Sequence, residues 1–567
     1  MQRILATGKQ SFEKLRTYNC FYVDKTKFIR EWWNTQDDVT LITRPRRFGK
    51  TLMLDTVKTF FSQEFADRSD LFEGLEISKD EKFRNIQGAI PVIFLSFAEI
   101  KENTFNNTVS LIKEVLTSVY RHFKRQFDIA SFSDWEKELF DSIHNGMSDV
   151  TVKRSIHYLS EFLTYRYKRN PIILLDEYDA PLQNAWVYGF WKELVDFLRG
   201  FFNSTFKTNP FLERGLITGV TRLAKESIFS DMNNLKVVTT TTNCYTDCFG
   251  FTEEEVFLAM NEYGLQEKED VKKWYDGFIF GKQKNIYNPW SILEYLSEKK
   301  FSTYWADTSS NELVSQLVAQ SDEEVKDHMF TLLKGEPIIT KIDEQIVFSQ
   351  LYDRQDAIWS FLMASGYLKP LSNDNDTGEY KVAVTNYEVL QILKRLISSW
   401  FNNYSVNAEK FRRALLIDDI VYMNKFLRKI AINTFSFFDT SGDEPERFYH
   451  AFVLGLTVDL QDQYEILSNR ESGFGRYDIT MFPKRSRYHG IVIEFKTLER
   501  ERENNLQDAC NNALLQIKTK KYSSSLLSRG VASSNIYVYG FAFKGKDLLI
   551  CGGAEEKIDW TSLLGEK

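Results

Sequence analysis

Over the first 235 residues, apolar runs alternate with longer amphipathic stretches. The runs are DVTLITR (38–44), AIPVIFLSF (89–97), PIILLDE (171–177) and RGLITGV (214–220). Three of the four are continuous rather than alternating, the pattern of strands covered on both faces. Segments 50–62, 106–127 and 188–206 carry helical periodicity between them. This predicts an α/β layer on a mainly parallel sheet, spanning 1–235. From 236 to 440 amphipathic helical patterns dominate, as in TEEEVFLAMNEYG and NYEVLQILKRLISSWF. A hairpin, GYLKPLSNDNDTGEYKVAVT with a polar turn at 373–378, interrupts them. This region reads as a helical lid and connector. From 441 to 567 a second α/β pattern follows: a helix, three strands, a helix, then the strands NIYVYGFAF and DLLICGG.

Composition narrows the picture only a little. The 567 residues are 43% apolar and 27% charged, a globular balance, and the 15% aromatic content supplies large cores. The net charge of −7 announces no nucleic-acid partner, so any basic footprint must be local. Five cysteines give no disulfide framework, and the Cys244–Cys248 pair lacks the companions of a zinc site. The N-terminal MQRILATGKQSF has no apolar signal core, and no run of 18 apolar residues occurs. The expectation is a protein of a reducing cytoplasm, without a membrane span.

The first candidate chemistry lies in LITRPRRFGKTLMLDTV, Leu41 to Val57. A phosphate loop works because backbone N–H groups and a helix N-terminus converge on phosphate oxygens. Its Lys adds a point charge and its Thr hydroxyl ligates Mg²⁺. Gly49, Lys50 and Thr51 are present, but Arg44 stands where the first glycine is usual, with Pro45 available to stiffen the turn. Arg44, Arg46 and Arg47 would add positive potential. Arg46, Arg47, Phe48, Gly49, Lys50, Thr51 and Leu52 are therefore the expected phosphate-binding residues. Read alone, the stretch is equally a basic turn before an amphipathic helix. The run ending in Asp176-Glu177 favours the nucleotide, because α/β ligands bind at the carboxyl ends of strands. Asp176 would hold Mg²⁺ and Glu177 polarise the attacking water. The next strand should lie beside that one, with Thr218 or Thr221 reaching the phosphates and Arg222 stabilising transition-state charge. A polar strand end with an exposed arginine is the alternative there.

Five separated stretches in order resemble the bacterial AAA-ATPase-like family: YVDKTKFI (22–29), RPRRFGKT (44–51), LLDEYDAPL (174–182), GVTRLAKESIFSDMNNL (219–235) and WYDGFIFG…IYNPWSIL (274–293). The resemblance covers roughly the first 300 residues, and the missing glycine fits that family's own loop. It implies an AAA-like P-loop ATPase core of the ASCE type, with ATP and Mg²⁺ as cofactors. It also implies that Asp24 and Lys25 lie near the nucleotide.

A second constellation lies in GRYDITMFPKRSRYHGIVIEFKTLER. Strand-like runs 475–482 and 490–497 flank a polar turn, and the midpoint of Asp478 and Glu494 falls in that turn. A symmetric hairpin sets these two carboxylates opposite each other, with Lys496 on the same face as Glu494. Two carboxylates suit a hard ion such as Mg²⁺ or Mn²⁺, and Lys496 can serve the water. The bland alternative is a solvated hairpin face. The arrangement resembles PD-(D/E)XK nucleases, and residues 446–545 follow that superfamily's order of elements. The resemblance adds Glu446 as a further acid and Gln516 with Lys520 as the following Q-I-x-x-K pattern. His450, one turn past Glu446, reads as a packed or surface histidine, and His489 as exposed. From Arg476 to Arg502 seven Lys or Arg face four acids, so Arg485, Arg487, Arg500 and Arg502 are candidate phosphate contacts. DNA is the expected partner, without sequence-specific readout by the protein; a homo-oligomer stays open.

The fold expected is thus α/β throughout: a parallel-sheet P-loop domain, a helical lid, and a C-terminal restriction-endonuclease-like domain. The function expected is an ATPase that regulates a Mg²⁺-dependent DNA endonuclease, in mobile-element control or phage defence by analogy. The alternative is a nucleotide-dependent signalling or scaffold switch whose nuclease-like domain binds without cutting.

Overall fold

The computed structural model describes residues 3–220, 228–229, 232–305, 314, 317, 321, 323–343, 355–374, 377–434 except 401–404, 453, 456–457, 460, 462–472, 475–498, 505–544 and 547–564. The chain divides into two compact units, one of residues 1–318 and 331–392, the other of 319–330 and 393–567.

The first unit is built on five parallel strands: β1 (Val39–Thr43), β2 (Val92–Ser96), β3 (Ile172–Asp176), β4 (Arg214–Gly219) and β5 (Leu235–Val238). Their order is β2-β3-β4-β1-β5. β4 pairs with β3, as the sequence order of motifs predicts, and separates β3 from β1. Every residue of β1, β3 and β4 is buried. Alternate side chains enter different cores: Ile173, Leu175 and Ile217 on one face, Ile172, Leu174 and Leu216 on the other. Each such side chain contributes roughly 1.5–3 kcal/mol by leaving water, which is why these runs are apolar without alternation. Helices Phe105–Lys124, Asp149–Tyr167 and Trp191–Phe202 cover the first face, and Lys50–Phe61 covers the second.

β5 lies at the sheet edge and is only partly buried, so its LKVV run lacks the apolar continuity of the others. Beyond it the chain is less purely helical than its periodicity suggests. β6 (Phe251–Thr252), β7 (Phe278–Phe280) and β8 (Gln283–Tyr287) form one small sheet. β9 (Ile338–Lys341), β10 (Leu368–Asp374) and β11 (Glu379–Val384) form another. β10 and β11 are the hairpin read from the sequence, in antiparallel register Leu368↔Val384.

The second unit holds a mixed sheet in sequence order: β12 (Tyr464–Ser472), β13 (Gly475–Pro483), β14 (Gly490–Thr497), β15 (Ile536–Lys544) and β16 (Asp547–Ala554). β13 and β14 are antiparallel, β14 and β15 parallel, and helix Leu506–Thr519 makes the crossover between the parallel pair. Gly540 is dictated by that helix: a Cβ there would sit 2.5 Å from the Cys510 carbonyl oxygen. Cys510 on this helix is disulfide-bonded to Cys551 on β16, a pairing the sequence reading does not foresee. Helix Ile420–Thr434 protects the edge strand. The Asn424 amide both donates to the Ile550 carbonyl and accepts from the Ile550 N–H, each at 2.8 Å, and Arg428 donates to the Leu548 carbonyl. Among the described residues no helix is long and apolar enough to cross a membrane.

Candidate functional site

β1 ends at Thr43, and helix Lys50–Phe61 starts directly after Gly49, whose φ of 80° is the left-handed turn that starts the helix. Between them the loop folds around Lys50. Its Nζ donates to the carbonyls of Arg44 (3.0 Å) and Pro45 (2.9 Å), and burial pulls its pKa down. Thr51 Oγ1 donates to Asp176 Oδ2 at 2.7 Å, across from the end of β3. Thr218 Oγ1, on β4 between them, donates to Asp176 Oδ1 at 2.6 Å. Burial pushes the Asp176 carboxyl up against the pull of these two hydroxyls. Thr218 therefore positions Asp176 instead of reaching the phosphates, which corrects the sequence expectation.

Loop, helix start and strand end face a cavity of about 580 Å³, in the range of ligand pockets. Six cationic side chains line it (Lys9, Lys25, Arg46, Arg47, Lys50 and Lys101) against one acid, Glu177. Phe48, Gly49, Thr51 and Leu52 also line it. Glu177 sits just past β3 at φ 50°, a left-handed conformation uncommon for a glutamate. Among the described residues the N–H groups of Arg47 and Gly49 meet no acceptor within the chain, while Phe48 closes the turn through residues 46–47. Free N–H groups before a helix N-terminus, beside a cationic cavity, are donors suited to cradle an anion.

Arg44 does not join this cradle. Its guanidinium is fully buried and donates to the carbonyls of Thr43 (2.9 Å), Thr239 (2.7 Å) and Cys244 (3.3 Å). It also lies 4.6 Å over the Phe280 ring, and burial lowers its pKa to about 10. The expectation that Arg44 adds potential at the anion is overturned. The residue replacing the usual glycine fastens the strand exit to the segment after β5. Arg46 Nη2 donates to Gln183 Oε1, and Gln183 in turn bonds Asp179, whose Oδ2 also accepts from the Val220 N–H.

Asp24 and Lys25 part company. Asp24 spends Oδ1 on the N–H and hydroxyl of Thr26 and Oδ2 on the Glu76 N–H, and does not line the cavity. Lys25 is in the cavity wall, with Nζ 2.7 Å from both Glu255 carboxylate oxygens and from the Asp247 carbonyl. Thr221 and Arg222 lie outside the described residues.

In the second unit the β13–β14 register runs Ile479↔Ile493, Thr480↔Val492, Met481↔Ile491. The paired register ends at Ile479↔Ile493, one step short of Asp478 and Glu494, the pairing the hairpin midpoint predicts. Ile491, Ile493 and Phe495 pack into one core and Val492 into the other, as the alternation requires. Glu494 is buried and Lys496 partly exposed, with Lys496 Nζ 3.4 Å from Glu494 Oε1. Gln516, on the crossover helix, donates to the Tyr522 hydroxyl at 3.1 Å. His489 is half-buried against the Tyr537 ring at 4.2 Å, not exposed in the turn. Glu446, His450, Arg500 and Arg502 lie outside the described residues, and of the Asp478 side chain nothing is described. Among the described residues no three His, Cys, Asp or Glu side chains group as metal ligands.

A parallel sheet that presents a lysine-bearing loop after one strand and a buried aspartate at the end of another, with one strand between them, defines a P-loop-like domain. Residues 6–229 match the family described as predicted AAA-ATPase, and residues 444–552 match the PD-(D/E)XK nuclease superfamily. The chain thus carries an N-terminal AAA-ATPase-like domain and a C-terminal PD-(D/E)XK nuclease superfamily domain. It is 24% identical over 575 residues to an uncharacterized protein in the vnfD 5′ region of Azotobacter chroococcum mcd 1, covering 98% of this chain and 99% of that one. Among solved structures it is similar to the Aeropyrum pernix ORC2 protein in its ADPNP–ADP complexes, at 10% identity and a TM-score of 0.23, over 66% of this chain and 93% of that one.

Proposed function

We propose that the protein binds and hydrolyses ATP in the Lys50 cavity, and that nucleotide state controls a Mg²⁺-dependent DNA endonuclease centred on Asp478, Glu494 and Lys496. The observation that carries the nucleotide half is a cavity lined by six cations and one acid, with Lys50 and Thr51 in its wall and Asp176 bonded to Thr51 behind it. Thr51 and Asp176 are hard oxygen donors already side by side, a set that fits Mg²⁺. The ion would supply charge neutralisation at the phosphates. Lys50 exchanges its two loop carbonyls for phosphate oxygens, a trade of neutral acceptors for charged ones. Glu177, at the cavity wall, orients the attacking water, and Arg222 steadies charge on the transferred group.

In the nuclease half, Glu494 beside Lys496 supports the reading, with Asp478 next along the hairpin register. Asp478 and Glu494 would hold Mg²⁺ or Mn²⁺, which lowers the pKa of a bound water. Lys496 orients that water toward a DNA phosphate. An ATP-controlled nuclease acting in the cytoplasm suits mobile-element control or phage defence, by analogy of architecture alone. The test is nicking of supercoiled plasmid with Mg²⁺ or Mn²⁺, with and without ATP. Cleavage whose rate changes on adding ATP is expected. No cleavage under any condition, with ATP turnover intact, would replace the nuclease by a non-cutting switch.

A further inference from the structure

The stretch IYNPWSIL resembles the family's pattern, yet the phosphate chemistry above does not use it. In the structure it faces the phosphate loop. The carbonyl of Arg46 accepts two hydrogen bonds from far along the chain, from Asn288 Nδ2 at 3.2 Å and from the Trp305 indole Nε1 at 3.1 Å. In a trans peptide the C=O and the next N–H point opposite ways. Fixing the Arg46 carbonyl therefore fixes the Arg47 N–H, which has no acceptor among the described residues.

The fixing has something to hold. Arg47 has φ of 66°, a left-handed conformation unfavourable for an ordinary L-residue. Such strain persists only where the surroundings over-determine it. Here the Arg47 guanidinium also lies 4.1 Å over the Trp290 ring, two residues from Asn288. The clamp itself is anchored. Asn288 Oδ1 caps helix Pro289–Glu298 through the Ser291 N–H, and the backbone N–H of Trp305 donates to the buried carboxylate of Glu388 at 2.8 Å.

We propose that Asn288 and Trp305 are positioning residues of the phosphate cradle: together they hold the Arg46–Arg47 peptide so that the Arg47 N–H meets a phosphate oxygen of the nucleotide. This rests on the nucleotide reading above and deepens it, since it makes segment 288–305 part of the phosphate site. Two variants separate donation from packing. Trp305→Phe keeps a smaller aromatic ring between Phe278 and Tyr367, which Trp305 contacts, and deletes the indole donor. Asn288→Asp keeps the helix-capping oxygen and turns the amide donor into an acceptor facing the Arg46 carbonyl.

The experiment measures, on the full chain, affinity for ATP, ADP and adenosine in the parent, in each variant and in Lys50→Ala. The expected result is an affinity loss of about tenfold or more for both ATP and ADP in each variant, with adenosine changed less than twofold. An equal loss for all three ligands means the cavity has collapsed, and no loss for any means the peptide needs no clamp; either result overturns the proposal. A parent that binds ATP no better than Lys50→Ala does overturns the nucleotide reading itself, a result the clamp variants cannot imitate.

Discussion

At the scale of single residues, Lys50 and Arg44 make opposite predictions from neighbouring positions. Lys50 is buried with only two carbonyls for partners and a lowered pKa, so its charge awaits an anion. Lys50→Ala should abolish nucleotide-dependent thermal stabilisation, about 2.7 kcal/mol at one hundred times Kd. Stabilisation by ATP equal to the parent's would reduce the loop to a basic turn. Arg44→Gly, which restores the glycine usual in such loops, should harm this protein. It removes one donor from each of the Thr43, Thr239 and Cys244 carbonyls and leaves a hollow beside Phe280, at a cost of roughly 2–4 kcal/mol. A thermal midpoint at or above the parent's would show that the arginine is dispensable. Lys50, Thr51 and Asp176 are legible in the sequence because each chemistry lies in a few adjacent residues at the end of an apolar run. Arg44 is misread for the same reason. An arginine beside a phosphate loop suggests an anion, and only the fold shows carbonyls and an aromatic ring around it.

At the scale of elements, continuous apolar runs locate β1 to β4 because both faces of that sheet are covered. β5 and the small strands β6 to β9 escape such a reading, being short or only partly buried. The Asn288 and Trp305 contacts escape it too, since 242 and 259 residues separate them from Arg46. Glu388, at the start of helix Tyr387–Trp400, ties these elements together. It accepts from the Tyr304 and Trp305 N–H groups and from the Ser291 hydroxyl. Burial outweighs these donors and lifts its pKa from the ordinary 4.5 to about 7. The folded chain then holds a proton that the unfolded chain has released, between those two values. The Glu388 contribution to stability is therefore fully present below pH about 4.5 and lost as pH rises through about 7. Glu388→Gln keeps an acceptor for the two N–H groups and cannot titrate, so the midpoint of the variant should fall less between those pH values than the parent's does. Identical pH profiles for the two proteins would mean that Glu388 is ionised throughout.

At the scale of the whole molecule, the two sites differ in what their chemistry asks of the chain. The Lys50 cavity asks for an anion with a hard cation beside it, and every group that serves it belongs to the first unit. The hairpin carrying Glu494 and Lys496 belongs to the second unit, so neither site lends a described residue to the other. Similarity to the Azotobacter chroococcum protein runs along 98% of this chain, across both units. Independent chemistry on one chain predicts separable defects. Lys496→Ala removes a cation that cannot ligate a metal but can serve a water, so DNA cleavage should fall at least a hundredfold. Metal affinity of the second unit should change little, because the carboxylates remain. ATP turnover should stay at the parent's rate. Lys50→Ala should do the converse, retaining cleavage at a rate that no longer responds to ATP. Measured together, the two variants discriminate coupling from mere coexistence. If Lys50→Ala and the parent cleave plasmid alike at every ATP concentration, the ATPase does not control the nuclease. If Lys496→Ala cuts as fast as the parent, the Glu494–Lys496 pair is a solvated face of the hairpin and the chain acts as a switch without a blade.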